Sequence, residues 1–142
     1  MKRVLVAACI VRKIHKRSAI PLIEDNGLFY IELQVPLAKY KFVIDTGANR
    51  MVIFENAYNK INTECNIRRV EDIKTANGII RCPIIGFNFS IENKLFNFDM
   101  TIMPNKSNFE YDGIIGTSFL KTLKASIDFD NKQLTLTSNG DN

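Results

Sequence analysis

Histidine and cysteine, the side chains that build most zinc sites and disulfide frameworks, are scarce in this sequence. Its 142 residues contain one histidine, His15, and three cysteines, Cys9, Cys65 and Cys82, with no Cys-x-x-Cys pair. An odd number of widely spaced cysteines does not make a disulfide framework, and one histidine does not complete a zinc site. We therefore expect free thiols in a reducing compartment, with no metal and no cofactor.

The sequence also lacks an apolar run of about 20 residues, the length that crosses a membrane as a helix. Its start, MKRVLVAACIV, places a basic end and a short apolar run before Cys9, which is similar to a bacterial lipoprotein signal. That apolar run is shorter than the about 7–15 residues of a secretory signal. A cytoplasmic location is favoured, and export, lipid anchoring or membrane contact of this segment stay open as alternatives.

Positive charge is concentrated at the N-terminus. The formal net charge is +4, and residues 1–17 carry the excess, so that the remainder is close to neutral. A nucleic-acid partner is therefore not expected. We divide the chain into a basic and apolar segment (1–19), one domain (20–138) and a frayed tail (139–142). The first segment could be a tail, a strand in a dimer or a prosegment.

Short runs separated by turn residues predict a mainly β chain with two short helices. Runs typical of strands occupy 28–35, 39–44, 51–54, 87–92 and 94–103. Hairpin turns are predicted at Asn77-Gly78 and at Asp130-Asn131. Helical spacing predicts helices over 55–61 and 117–124, the second capped by Thr117 or Ser118. Because no linker divides the chain, we expect one predominantly antiparallel β domain.

An aspartate ends one of these strands, in FVIDTGAN (42–49). Taken alone, Asp45-Thr46-Gly47 suits a turn in which Gly47 has a positive φ, or a phosphate-binding turn of a sugar-kinase-like fold, which needs a longer chain. A carboxylate at the mouth of an apolar strand also suits general acid–base catalysis, for which a second nearby carboxylate adjusts the proton affinity. No second Asp-Thr-Gly or Asp-Ser-Gly occurs, so that partner would come from another copy of the chain.

Three stretches together resemble the retropepsin-like aspartic proteases, single-domain homodimeric relatives of pepsin and the retroviral proteases. The stretches are FVIDTGAN (42–49), DGIIGTSFL (112–120) and ASIDFDNKQLTL (125–136), in the family's order and spacing. The resemblance implies a closed, barrel-like acid protease fold with one lobe per chain. It also implies an aspartic endopeptidase, in which a water between two Asp45 carboxylates of a homodimer attacks a peptide or protein substrate.

The resemblance assigns the remaining site residues. The residues of the active-site loop and its support are Asp45 as catalytic acid, with Thr46, Gly47, Ala48, Ile114, Ile115 and Gly116. The candidates for the flap, a hairpin that covers substrate, are Thr75, Ala76, Asn77, Gly78 and Ile79. An ordinary surface hairpin would fit these flap residues too. Arg50 stands where an acid or serine is common; we favour a solvent-facing side chain, and contact with substrate or with a partner acid stays open. In the family, the stretch that corresponds to Ile114-Ile115-Gly116, which we call the bracing stretch, supports the active-site loop and precedes a helix. PIIGF (83–87) has the same apolar-apolar-Gly pattern, but no helix follows it.

Two other functions stay open. A protease-fold dimerisation or peptide-binding module with weak turnover would also form a dimer. An unrelated β protein, in which Asp45 only caps a turn, would be a monomer. The intact Asp-Thr-Gly-Ala favours the enzyme, because two facing carboxylates repel each other and serve no purpose in a binding module.

Overall fold

Strands make up most of the protein. The computed structural model describes residues 16–61, 65–106 and 108–138, and these form eleven strands and two short helices. The strands are β1 (Lys16–Pro21), β2 (Ile23–Asp25), β3 (Leu28–Val35), β4 (Ala38–Ile44), β5 (Val52–Phe54), β6 (Ile67–Thr75), β7 (Gly78–Ile91), β8 (Lys94–Met103), β9 (Gly113–Ile115), β10 (Ser126–Asp128) and β11 (Gln133–Ser138). The helices are α1 (Glu55–Lys60) and α2 (Thr117–Thr122). The predicted mainly β composition is confirmed.

Six of the strands close into a barrel. Around it the order is β3, β4, β9, β5, β8 and β7, and Gln34 of β3 pairs with Ser90 of β7 to close the ring. The pairs β4–β9 and β5–β8 are parallel, and the other pairings are antiparallel. The predicted closed, barrel-like fold is confirmed.

The alternation of side chains along β3 shows how the barrel obtains its core. Ile31, Leu33 and Val35 are buried, whereas Glu32 between them is exposed. Successive side chains of a strand point to opposite faces, so an alternating sequence buries one face. Cys82 of β7 is also buried, and burial raises the pKa of its thiol.

Helix α2 is attached to the barrel through an aromatic cluster. The fully buried ring of Phe119 lies 5.9 Å from Phe89, 5.7 Å from Phe96 and 5.1 Å from Phe98, measured between ring centroids. These tilted and edge-on contacts are the arrangements that aromatic rings prefer. One short helix is therefore firmly held, although a helix of six residues would not be stable alone.

Two turns differ in detail from the sequence prediction. The β6–β7 hairpin pairs Thr75 with Gly78, so its two loop residues are Ala76 and Asn77, one position earlier than predicted. Gly78 opens β7 with a φ of 118°, a conformation that glycine adopts without strain. The last hairpin turns over residues 129–132, around the predicted Asp130-Asn131.

A second sheet of three strands has β11 between β1 and β10. Strand β1 pairs with β11 from Lys16 to Pro21, so it runs across residue 20, at which we expected the domain to begin. Residues 1–15 and 139–142 lie outside the described residues, and so does Cys9. The expectations for the N-terminal segment, the tail and the cellular location therefore stay predictions. Within the described residues, no helix has the length and apolarity that a bilayer crossing requires.

Candidate active site

Asp45 lies directly after β4, at the point where the chain leaves the barrel. Its backbone N–H donates to the carbonyl of Ile115, with 3.0 Å between nitrogen and oxygen, which extends the β4–β9 pairing by one residue. The side chain is exposed rather than buried among the apolar residues that precede it. The strand pairing therefore holds the backbone of Asp45 while its carboxylate faces outward.

The loop that follows, which we call the acid loop (residues 45–48), folds back on the carboxylate. The N–H of Gly47 donates to Asp45 Oδ1 at 2.9 Å, and the N–H of Ala48 donates to the Asp45 carbonyl at 3.2 Å. The expected positive φ at Gly47 is wrong: among the described glycines only Gly27 and Gly78 have one. A side chain at position 47 would place its Cβ 3.2 Å from Asp45 Oδ1. Glycine at position 47 therefore lets the Asp45 carboxylate approach the backbone closely, and its φ is not left-handed.

The bracing stretch lies against the acid loop. Strand β9 is inserted between β4 and β5, and Ile115 is fully buried there. A Cβ on Gly116 would collide with the backbone of Asn49 and Arg50. Gly113, which the sequence prediction passed over, has no room either, because a Cβ would meet the Val52 carbonyl and the Phe42 ring. In the sequence, the position of Gly113 at the start of an apolar run could have indicated that other groups approach the backbone closely there.

The first turn of α2 also holds the acid loop. The N–H groups of Thr117 and Ser118 donate to the carbonyls of Ala48 and Asn49, at 2.8 and 2.9 Å. The predicted side-chain cap at Thr117 or Ser118 is wrong: Gly116 is the capping residue, and no side chain bonds the helix start. The carbonyls of Ala48 and Asn49 satisfy the free N–H groups that a cap would otherwise bind.

The flap candidates form a well-defined hairpin end. Thr75 Oγ1 donates to the Gly78 carbonyl at 2.8 Å and accepts from the Asn77 N–H at 3.2 Å. The apolar side chain of Ile79, next to the two loop residues, is 70% exposed. Among the strands that the structure describes, β6 pairs only with β7 and is therefore an edge of its sheet. The hairpin offers this strand edge, with the exposed Ile79 beside its loop.

An ion pair joins the acid-loop region to this hairpin. Arg50 Nη2 lies 2.9 Å from Glu71 Oε1, so the solvent-facing position that we favoured for Arg50 is wrong, and an acidic residue is its partner. Hydrogen bonds from Arg50 and Arg69 hold the pKa of Glu71 below its ordinary value. No local pattern in the sequence pairs these residues, because they are distant in the chain and meet only through the fold.

A shallow apolar concavity lies on the other side of the acid loop. It has a volume of about 300 Å³ and is lined by Thr46, by Leu120 of α2 and by Ile127 of β10, with neighbouring residues of both elements. Thr46 is itself exposed. Within the part of the chain that the structure describes, no group of three or more His, Cys, Asp or Glu residues is placed to bind a metal ion.

The barrel, the acid loop and the bracing glycine together define a retropepsin-like aspartic protease fold. Residues 31–122, more than half of the chain, match the family model described as gag-polyprotein putative aspartyl protease, and the chain belongs to that family. No curated protein sequence matches it significantly.

Solved structures agree with this fold. A retropepsin-like aspartic protease from Rickettsia conorii is 24% identical, with a TM-score of 0.59 over 87% of this chain and 92% of that one. The retroviral protease-like domain of Ddi1 from Leishmania major is 18% identical, with a TM-score of 0.60 over 77% and 87%. EIAV protease complexed with the inhibitor HBY-793 is 15% identical, with a TM-score of 0.59 over 75% and 100%. At these identities the likeness establishes the fold.

Proposed function

We propose that the protein is an aspartic endopeptidase that works as a homodimer, each copy supplying one Asp45. The observation that carries this proposal is the exposed carboxylate of Asp45, which the Gly47 N–H orients at the end of a barrel strand. A carboxylate held in one orientation without being buried is available to substrate and to a second carboxylate.

The need for a second copy follows from the chemistry. Each chain offers one acid loop, and peptide hydrolysis of this type uses one ionised and one protonated carboxyl. Two carboxyls at contact distance share a proton, because both cannot ionise at once. The apolar concavity beside Thr46 supports the same conclusion, since a second chain would cover apolar surface next to the acid loop.

The reaction then proceeds through a water between the two Asp45 side chains. The ionised carboxylate takes a proton from the water while the water oxygen bonds to the peptide carbonyl carbon. The protonated carboxyl donates its proton to the carbonyl oxygen. The carboxylate that is now ionised takes a proton from one hydroxyl of the tetrahedral diol, while the carboxyl that is now protonated donates its proton to the peptide nitrogen. The C–N bond then breaks, and an acid and an amine are released.

Substrate binding falls to the hairpin of β6 and β7, which we propose as the flap. A peptide in extended conformation would lie along the acid loop and bond through its backbone as an added strand. Ile79 at the tip would shield the site from water when the hairpin closes. The proposed support of the acid loop by Thr46, Gly47, Ala48 and residues 114–116 keeps Asp45 in place throughout.

The alternative is a catalytically weak module that binds peptides or dimerises. The exposed edge of β6 favours it, because strand addition at an edge requires no chemistry.

Cleavage of a diverse peptide library from about pH 4 to about pH 7.5 distinguishes the two functions. Wild type, Asp45→Asn and the control Asp25→Asn are each compared with and without pepstatin. We expect wild type and the control to cleave, and neither Asp45→Asn nor the inhibited enzyme to do so. No cleavage by wild type at a concentration where sedimentation shows a dimer would contradict the enzyme and favour the module.

A further inference from the structure

A cavity of about 510 Å³, which we call the arginine cavity, lies between the acid-loop region, β6 and β8. Asn49 and Arg50, which follow the acid loop, form one wall, and Arg68 and Arg69 of β6 form another. Asp99 of β8 lies among them. The cavity thus lies between the two elements that we propose hold the substrate, yet no step of peptide hydrolysis uses it.

Positive charge is in excess there. Arg50 pairs with Glu71 at 2.9 Å, whereas Asp99 is shared by Arg68 at 3.3 Å and Arg69 at 3.1 Å. Arg69 also pairs with Glu71. Three guanidinium groups therefore face two carboxylates, and one positive charge is not neutralised within the cluster.

The guanidinium groups keep donors for a ligand. A guanidinium has five N–H donors, and Arg50 uses one of them, on Glu71. The side chains of Arg50, Arg68 and Arg69 are 38%, 49% and 50% exposed. A planar guanidinium with free N–H groups is the side chain best suited to a carboxylate, which it binds through two parallel hydrogen bonds.

The fold makes room for one of these arginines. A Cβ on Gly86, in the middle of β7, would collide with the guanidinium of Arg68. Glycine inside a strand weakens the strand, and its presence marks a place where another group approaches the backbone closely. The glycine of PIIGF therefore has a use unrelated to the acid loop: it lets the Arg68 side chain lie over β7 beside the cavity.

The apolar part of the cavity restricts what fits. Met51 and Ile84 contribute to its lining and are each 1% exposed. A side chain with methylene groups and a terminal carboxylate matches such a lining, because the methylenes contact the apolar residues while the charge meets the guanidinium groups. Glutamate has this shape.

We propose that the arginine cavity binds a glutamate side chain of the peptide substrate and so selects cleavage sites. The inference rests on the proposed endopeptidase function. Because an extended peptide would have one register on the acid loop, the glutamate preference appears at one fixed position relative to the cleaved bond.

The first experiment compares cleavage of two peptides that differ only by glutamate or glutamine at the position that the library identifies. For wild type we expect kcat/KM to be about tenfold higher with glutamate than with glutamine. This is the effect of about one charge-assisted hydrogen bond, and it should arise mainly from a lower KM. Arg68→Gln and Gly86→Ala should each reduce this ratio to about threefold or less, since both remove the Arg68 guanidinium from the cavity. The control is Lys132→Gln in the last turn, an ion-paired cation outside the cavity and outside the proposed flap, which should keep the full ratio.

A charge reversal separates recognition from a structural effect. Arg68→Glu should turn the preference around, so that a peptide with lysine at that position is cleaved faster than one with glutamate. A variant that merely distorted the fold would slow both peptides equally. Efficient cleavage by wild type without any preference for glutamate would overturn the proposal and leave the endopeptidase intact.

Binding to the full-length Asp45→Asn protein tests the cavity independently of turnover. The probes are two fluorescein-labelled peptide pools of random sequence, one with a fixed central glutamate and one with glutamine, followed by fluorescence anisotropy. We expect tighter binding of the glutamate pool, lost in the Asp45→Asn, Arg68→Gln double variant. Equal binding of both pools would overturn the proposal, whereas preferential binding without cleavage by wild type would contradict only the proposed catalysis.

Discussion

At the scale of single residues, the geometry of the acid loop depends on the lack of a side chain at position 47. The Gly47 N–H reaches Asp45 Oδ1 at 2.9 Å, and a Cβ at the same residue would lie 3.2 Å from that oxygen. A contact of this kind moves the carboxylate without unfolding the strand that carries it. Glycine at position 47 thus leaves the space in which the Gly47 N–H can orient the proposed catalytic carboxylate.

Gly47→Ala should therefore lower kcat by up to about tenfold, because the Asp45 carboxylate must shift by a few tenths of an ångström, which is less than the displacement of about 1 Å that costs about a hundredfold. The thermal midpoint should change little, since position 47 is exposed. Steady-state kinetics and a melting curve measure the two effects. The control is Gly27→Ala, where a Cβ meets nothing within 4 Å but φ is +78°; it should lower stability and leave kcat unchanged. Equal kcat values for wild type and Gly47→Ala would contradict this role.

At the scale of elements, two connections hold the acid loop. Helix α2 holds it from one side through the Thr117 and Ser118 N–H groups, and the Arg50–Glu71 pair joins the neighbouring residue to β6. The first connection consists of backbone hydrogen bonds to α2, which the buried Phe119 ring holds against the barrel. The second is an ion pair between two partly exposed side chains, so its strength should depend on pH and salt.

Phe119→Ala should lower the free energy of unfolding by about 3–5 kcal/mol, the usual cost of a cavity left by a buried phenylalanine. Urea unfolding measures it. Phe119→Leu, which keeps most of the volume, should cost roughly 1.5 kcal/mol or less. The matched control is Phe129→Ala in the last turn, where the ring is 56% exposed. A loss as small as the control's would show that the aromatic cluster does not secure α2.

The Arg50–Glu71 connection should weaken in acid. Because the folded pKa of Glu71 lies below its ordinary value of 4.5, its ionised form stabilises the folded protein above that pH, and this contribution is lost as the pH falls through the folded pKa. Glu71→Gln should therefore have a lower thermal midpoint than wild type at neutral pH.

The difference between the two midpoints should shrink below about pH 4 and with added salt. Melting curves across pH test it, and Glu110→Gln is a control because no ion pair is found at that residue among the described residues. A difference that persists unchanged in acid would contradict the electrostatic origin.

At the scale of the whole molecule, a single chain offers half of the proposed site. The apolar concavity beside Thr46 is where we expect the second copy to bind. Ile127→Glu should weaken self-association at least tenfold, because it would bury a charge in the contact.

Sedimentation over a range of concentrations measures this effect, and cleavage should decline in parallel. Leu95→Glu is the control, since Leu95 is 81% exposed and lies on β8, outside that concavity. A dimer that tolerates Ile127→Glu would place the contact elsewhere.

Much of this organisation is readable in the sequence. Alternation in 28–35, the apolar lead into Asp45 and the stretch GIIGTSFL are local patterns, and local patterns follow from the period of strands and helices and from the conformational limits of glycine. They sufficed for a mainly β chain with two short helices, whereas the closed barrel and the proposed catalytic acid came from the resemblance to the retropepsin-like proteases.

The tertiary structure alone decided what depends on residues distant in the chain. Arg50 pairs with Glu71, and Gly86 makes room for Arg68. The start of α2 is capped by the carbonyls of residues 48 and 49 instead of by the side chain of Thr117 or Ser118. Ion pairs, close approaches and backbone caps arise when the barrel closes and brings separate strands together. The periodicity of one strand does not encode which residue of another strand its side chains will contact.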